Sequence, residues 1–202
     1  MNMSPQEFDA MLELLARLVL DARTGGLMLV LAIAAVCDYR THRIPNPLIL
    51  CGALFGIIHT TLLPPLVHGT VLFPLSGLLV GLLLFLPLYL MRAMGAGDVK
   101  LLAMIGTFLG PAGTFHAALA AAIVGGVLSV AWALARGQGL RMLQNLPGFL
   151  QGALLGAALT SSAGAPGGLR ISPQATAAKL PFGVAIALGT IGYLIFHQLG
   201  FL

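Results

Sequence analysis

The sequence predicts an all-α integral membrane protein, a polytopic bundle of about six transmembrane helices. Of its 202 residues 58% are hydrophobic and only 8% charged, against roughly 25% charged in soluble domains. A globule of that composition would turn a mostly apolar surface to water and aggregate, so a soluble domain is excluded. The mean hydropathy of +1.00 agrees. The charges are also unevenly placed, leaving uncharged windows at 24–37, 44–91, 101–135, 142–169 and 180–202.

A spanning helix needs about 20 mostly apolar residues. The windows at 44–91 and 101–135 each hold two spans, divided by Pro64-Pro65 with His68-Gly69 in the first and Gly110-Pro111-Ala112-Gly113 in the second. The window at 24–37 lengthens back over Leu18, Val19 and Leu20, with Asp21 and Arg23 near the outer interface, and the last window holds one more span. Spans are therefore expected near 18–37, 47–64, 71–91, 98–110, 113–135 and 180–200. The window 142–169, punctuated by Pro147, Gly148, Gly152, Gly156 and Ser161-Ser162, is expected to be interfacial or re-entrant, with a seventh span as the alternative. Residues 1–24 read as an amphipathic segment, Phe8, Met11, Leu12 and Leu15 being interleaved with Glu7, Asp9 and Glu13. Acids ahead of the apolar stretch argue against a cleaved signal peptide. Residues 25–202 form the transmembrane domain.

Cytoplasmic loops collect Lys and Arg. If the first span runs from outside to inside, Arg40, Arg43, Arg92, Lys100, Arg136, Arg141, Arg170 and Lys179 all fall inside, leaving only Arg17 and Arg23 outside. Both termini are then expected to be external. Arg40 and Arg43 follow this charge rule and contact lipid phosphates. Tyr89 and Trp132 suit the interfaces. Gly125-Gly126 with Ala118, Ala120, Ala121 and Ala122 reads as a small-residue packing face.

Several chemistries find no support. Cys37 and Cys51 lie toward the reducing side and are not expected to pair, and there is no C-x-x-C for a zinc ribbon. His42, His59, His68, His116 and His197 include no pair at i, i+4 and no H-E-x-x-H. Ser76 and Ser129 have no G-x-S-x-G context. No metal, cofactor or nucleic-acid partner is expected.

The carboxylates are more informative. Glu7, Asp9, Glu13 and Asp21 crowd the start of the chain, and beyond them it holds only Asp38 and Asp98. Each stands at the expected cytoplasmic end of a span, so both lie at one depth. Acids at that depth are costly and are functional candidates by default. The blander reading makes Asp98 a helix cap and pairs Asp38 with Arg40 or Arg43. Two acids at matched depth suit aspartyl proteolysis: close together they cannot both ionise and share a proton. One then acts as general base on water while the other protonates or polarises the scissile carbonyl. Gly95 and Gly97, ahead of Asp98, allow an irregular and closely approached backbone.

The stretches Asp38-Tyr39-Arg40-Thr41-His42-Arg43-Ile44-Pro45-Asn46 and Gly95-Ala96-Gly97-Asp98-Val99-Lys100-Leu101 resemble the two signature segments of the type IV prepilin peptidases, and Lys179-Leu180-Pro181-Phe182-Gly183 resembles the carboxyl-terminal Pro-Phe-Gly signature of that family. The resemblance implies an aspartic endopeptidase of the inner membrane. It would remove short basic leaders from prepilins or pseudopilins, after a glycine, at the cytoplasmic face. It implies Asp38 and Asp98 as the catalytic pair, Gly95 and Gly97 shaping the loop, and Lys100, Arg43, Pro45 and Asn46 near the substrate. Bifunctional relatives add two C-x-x-C pairs and methylate the new amino terminus. Their absence here resembles the short, peptidase-only branch of tight-adherence (Flp) pilus systems, and archaeal preflagellin peptidases share that architecture. Presenilin-like enzymes also use Gly-x-Gly-Asp but pair it with Tyr-Asp, whereas this chain reads Cys37-Asp38-Tyr39. Outside the proteases, the alternatives are a small proton-coupled transporter with Asp38 and Asp98 as relays, or a non-catalytic assembly subunit.

Overall fold

A computed structural model describes residues 21–62, 71–90, 94–135 and 182–199. Of the amphipathic segment expected over 1–24, residues 1–20 lie outside them, as do the Pro64-Pro65 turn and the window at 142–169. Among the described residues the chain is all-helical, with α1 at Ala22–Thr41, α2 at Asn46–Leu62, α3 at Leu72–Leu90, α4 at Ala96–Ala135 and α5 at Phe182–Gln198. Three stretches are long and apolar enough to cross a membrane: α1, α3 and Ala96–Trp132 of α4. The apolar helices α2 and α5 are shorter.

The chain divides into two compact units, 1–125 with 181–202, and 126–180. In the second, the described residues are the last turns of α4, where Val127, Val130, Trp132 and Leu134 are exposed. The site and the packing that supports it belong to the first.

The helices α1, α2 and α3 each bury one narrow stripe, whereas Leu101 to Phe108 of α4 are buried on every side. On α1 the stripe is Leu27, Leu31, Ala34 and Asp38, a spacing of three and four residues that keeps one face inward. The same register therefore carries a carboxylate into the bundle. On α2 the stripe is Ile49, Gly52, Gly56 and Thr60, and on α3 it is Pro74, Gly77, Gly81 and Phe85. Small residues let backbones approach closely: a Cβ on Gly77 would run into the Gly106 carbonyl, and one on Gly81 would lie 2.6 Å from the Leu102 carbonyl oxygen. The opposite faces of α1, α2 and α3, including Leu29, Ile33, Val36, Leu54, Leu79 and Leu83, are exposed, apolar and suited to lipid.

The expected fourth and fifth spans fall on α4, whose backbone breaks at Gly110 with φ 70 and ψ −176. Packing shows that the chain reverses there. Ile44 lies against both Gly97 and Gly183, and Phe182 lies against Gly125, so residues 97 and 125 occupy the same end of the bundle. A straight helix would hold them about 40 Å apart at ~1.5 Å per residue. Only glycine adopts this positive φ at no steric cost.

The break frees carbonyls that must find other donors in apolar surroundings. Pro111 has no N–H, so Thr107 loses its helical partner, and its carbonyl accepts from Thr60 Oγ1 at 3.2 Å instead. One residue on, the Phe108 carbonyl accepts from the Arg23 guanidinium. Arg23, expected at the outer interface, is thus half-buried and closes the far end of the bundle. Arg23→Met keeps an apolar stem but removes this donor, and should cost about 1–3 kcal/mol, read as a lower thermal midpoint in detergent. A midpoint unchanged by the substitution would show that the Phe108 carbonyl needs no donor.

The expected packing face on the second arm is narrower than its composition suggests. Thr114, Ala117, Ala118, Ala121 and Gly125 are buried, whereas Ala122 and Gly126 are exposed and a Cβ on Gly126 meets open space. A helix repeats every 3.6 residues, so consecutive small residues cannot all face one neighbour.

Candidate active site

Asp38 enters the site from the last turn of α1. That helix ends at His42, which takes a left-handed conformation (φ 50, ψ 31) and returns its N–H to the Asp38 carbonyl at 2.8 Å. Thr41 Oγ1 donates to the Cys37 carbonyl at 2.8 Å and to the Arg43 carbonyl at 3.1 Å. These bonds turn the chain sharply and send Ile44 back over the end of the bundle. Ile44 Cβ and side-chain carbons would stand 3.6–3.8 Å from a Cβ on Gly97, and Ile44 Cδ1 would stand 3.1 Å from one on Gly183. Ile44 is therefore the apolar pin between the starts of α4 and α5.

Asp98 enters from the first turn of α4. Its N–H donates to the Gly95 carbonyl at 3.2 Å, and its carboxylate accepts from the Gly95 backbone. Gly95 thus sits at the N-cap and Asp98 at the third helical position, a carboxylate reaching back over its own helix end. Asp98 thus caps its own helix, and the Asp38 charge also bears on its carboxylate. Among the described residues, the irregular backbone expected ahead of Asp98 is Met94 and Gly95, since Gly97 is already helical.

The buried Asp38 carboxylate has a further partner. Its Oδ2 accepts from the Gly183 N–H at 2.7 Å, and the Val184 backbone donates alongside. The first turn of a helix has free N–H groups and a positive dipole end, which favour an anion. Asp38 therefore lies at the start of α5 although it belongs to the end of α1.

Of the remaining expected site residues, Lys100 and Asn46 stand on a groove. Lys100 Nζ donates to Asn46 Oδ1 at 3.1 Å, and both side chains are exposed. With Pro47, Ile49, Leu50, Ala53, Leu78, Leu82, Ala103 and Met104 they line an apolar groove between α2, α3 and α4. Arg43 and Pro45 are exposed on the loop between α1 and α2. The structure thus brings Asp38, Asp98, Gly95 and Gly97 together, joins Lys100 to Asn46 beside them, and leaves Arg43 and Pro45 on the surface. Sequence reasoning passed over Ile44 and Gly183. Both stood inside motifs already noticed, Arg43-Ile44-Pro45-Asn46 and Pro181-Phe182-Gly183, but only packing shows them touching.

Fold and site together define a class: an apolar helical bundle of membrane-spanning character, with two carboxylates from different helices at one end. Residues 26–130, just over half of the chain, match the model of the type IV leader peptidase family. The protein belongs to that family. No curated protein and no solved structure matches the chain.

Proposed function

We propose that the protein is an aspartic endopeptidase that removes the basic leader from type IV prepilins or pseudopilins, after a glycine, at the cytoplasmic end of the bundle. Asp38 and Asp98 are the catalytic pair. The observation that carries this is their convergence: the two acids found beyond the amino-terminal cluster come from different helices to one end of the bundle. In the reaction one carboxylate takes a proton from water as its oxygen bonds to the scissile carbonyl carbon, and the other gives a proton to the carbonyl oxygen. Collapse of the tetrahedral intermediate breaks the C–N bond, and the departing amine carries off a proton from the pair. Gly95 and Gly97 leave room for a substrate strand, and Lys100, Asn46, Arg43 and Pro45 lie near it.

The wider reading is a six-span protein of the inner membrane with both termini external, peptidase-only and of the branch that serves tight-adherence pili. The two arms of α4, running in opposite directions from Gly110, support six spans over five. Little favours a proton relay. Besides Asp38, the buried polar residues among the described ones are Thr60, Thr107, Thr114 and Thr190, and the first three donate to backbone carbonyls.

Co-expression with a candidate prepilin, followed by a gel-mobility assay and amino-terminal sequencing, tests this proposal. The expected result is a new, unmethylated terminus immediately after a glycine. A prepilin left intact by folded protein, for every substrate with a basic leader, would sink the assignment. Because the carboxylate pair supplies both acid and base, chelators such as EDTA should leave the rate unchanged. Loss of activity in EDTA, restored by zinc, would overturn the aspartyl mechanism.

A further inference from the structure

We propose that the first turn of α5 is part of the catalytic site: Phe182 seats the helix end, and the Gly183 amide holds the Asp38 carboxylate in its working orientation. Gly183 is a positioning residue, and its role rests on the peptidase reading of Asp38. It lies outside the matched family segment, which ends at residue 130.

Three observations carry this. The Gly183 N–H donates to Asp38 Oδ2 at 2.7 Å across 145 residues of sequence, in a buried setting. A charge-assisted bond of this kind fixes a side chain more firmly than a neutral one. Held at Oδ2, the carboxylate can turn about neither of its torsions without losing the bond, and Oδ1 keeps a constant aspect.

Second, position 183 is glycine because of the carboxylate and not because of the backbone. The positive-φ glycine among the described residues is Gly110, so Gly183 has a conformation that any residue adopts. A Cβ there would stand 2.7 Å from Asp38 Oδ2 and 3.0 Å from Asp38 Cγ, closer than packed atoms tolerate. Third, the helix end is clamped. The Phe182 ring meets Phe85 of α3 edge-on, with centroids 6.3 Å apart. It also lies over Gly125 of α4, where a Cβ would be 2.7 Å from the ring. The Asp38 orientation is thereby referred to α3 and α4, the latter being the helix that carries Asp98.

The test compares Gly183→Ala with Gly189→Ala in purified full-length protein cleaving a prepilin that the wild type processes. Gly189 lies on the same helix and is as tightly packed, a Cβ there standing 2.5 Å from the Ala121 nitrogen, but it is remote from Asp38. Misplacing a catalytic group by about 1 Å costs roughly 100-fold in rate. Gly183→Ala should therefore lower kcat about 100-fold with KM within about threefold of wild type. Gly189→Ala should lower the thermal midpoint yet keep kcat per folded molecule. Phe182→Ala should lower kcat about tenfold, and Phe182→Leu should recover most of it. If Gly183→Ala does not accumulate, the Phe182 pair decides, and a wild-type kcat in Phe182→Ala overturns the proposal. It is also overturned if Gly183→Ala keeps wild-type kcat, or loses no more than Gly189→Ala. Where wild type cleaves and Asp38→Asn does not, those results defeat the positioning role alone. A wild type that cleaves no prepilin defeats the peptidase reading and this proposal with it.

Discussion

Asp38→Asn and Asp98→Asn should each reduce leader cleavage by about 1,000-fold or more while leaving the amount of folded protein unchanged. General acid–base catalysis by one positioned group contributes roughly 100- to 10,000-fold, and each aspartate supplies one half of a coupled transfer. Asparagine matches aspartate in shape but can neither take up nor release the proton. The double variant should lose little more than either single one, because groups that act as a unit are strongly non-additive. In Asp98→Asn the side-chain amide keeps an oxygen able to accept from the Gly95 backbone, so the start of α4 should survive the change. In Asp38→Asn the amide oxygen can likewise still accept from the Gly183 N–H. Quantified cleavage against protein level in the membrane reads both effects, and substantial activity in either variant removes that residue from the mechanism.

Gly77→Leu should prevent accumulation of folded protein, whereas Gly126→Leu should leave it near wild type. The two glycines look alike in sequence, each standing in an apolar run just ahead of an aliphatic residue, Leu78 or Val127. Their surroundings differ. At Gly77 the α3 backbone rests on the α4 backbone, with the Gly106 carbonyl in the space that a Cβ would fill, whereas a Cβ on Gly126 meets nothing within 4 Å. Adding one or two methylenes to a tight core costs about 1–3 kcal/mol, and occasionally more. A leucine pressed against a carbonyl cannot be absorbed by a rotamer change, so the helices would have to separate. Detergent-solubilised yield and thermal midpoint measure this. Equal behaviour of the two variants would mean that the α3–α4 crossing is looser than its geometry.

The position of the acids was legible because charge is so scarce. Asp38 and Asp98 stood out by elimination, and the turn at Gly110-Pro111 was marked by the two residues least compatible with a continuous helix. What the sequence could not show is which ends meet. The partnership of Asp38 with Gly183 joins the end of α1 to the start of α5, and no periodicity links positions so far apart. Ile44 stood inside a noticed motif without a role of its own, although it packs against two helix starts. Arg23 was assigned to the outer interface on charge alone, because the need it meets arises only once Pro111 and Gly110 interrupt α4. Gly126 was grouped with Gly125 by composition, and helical geometry separates them by about 100° around the axis.

The most direct test uses purified protein in lipid nanodiscs, a full-length prepilin, and mass spectrometry of the products from wild type, Asp38→Asn and Asp98→Asn. The expected result is a free leader ending in glycine and a mature chain from wild type, and intact substrate from both variants. Release of the same leader by either variant would contradict a mechanism built on the two aspartates.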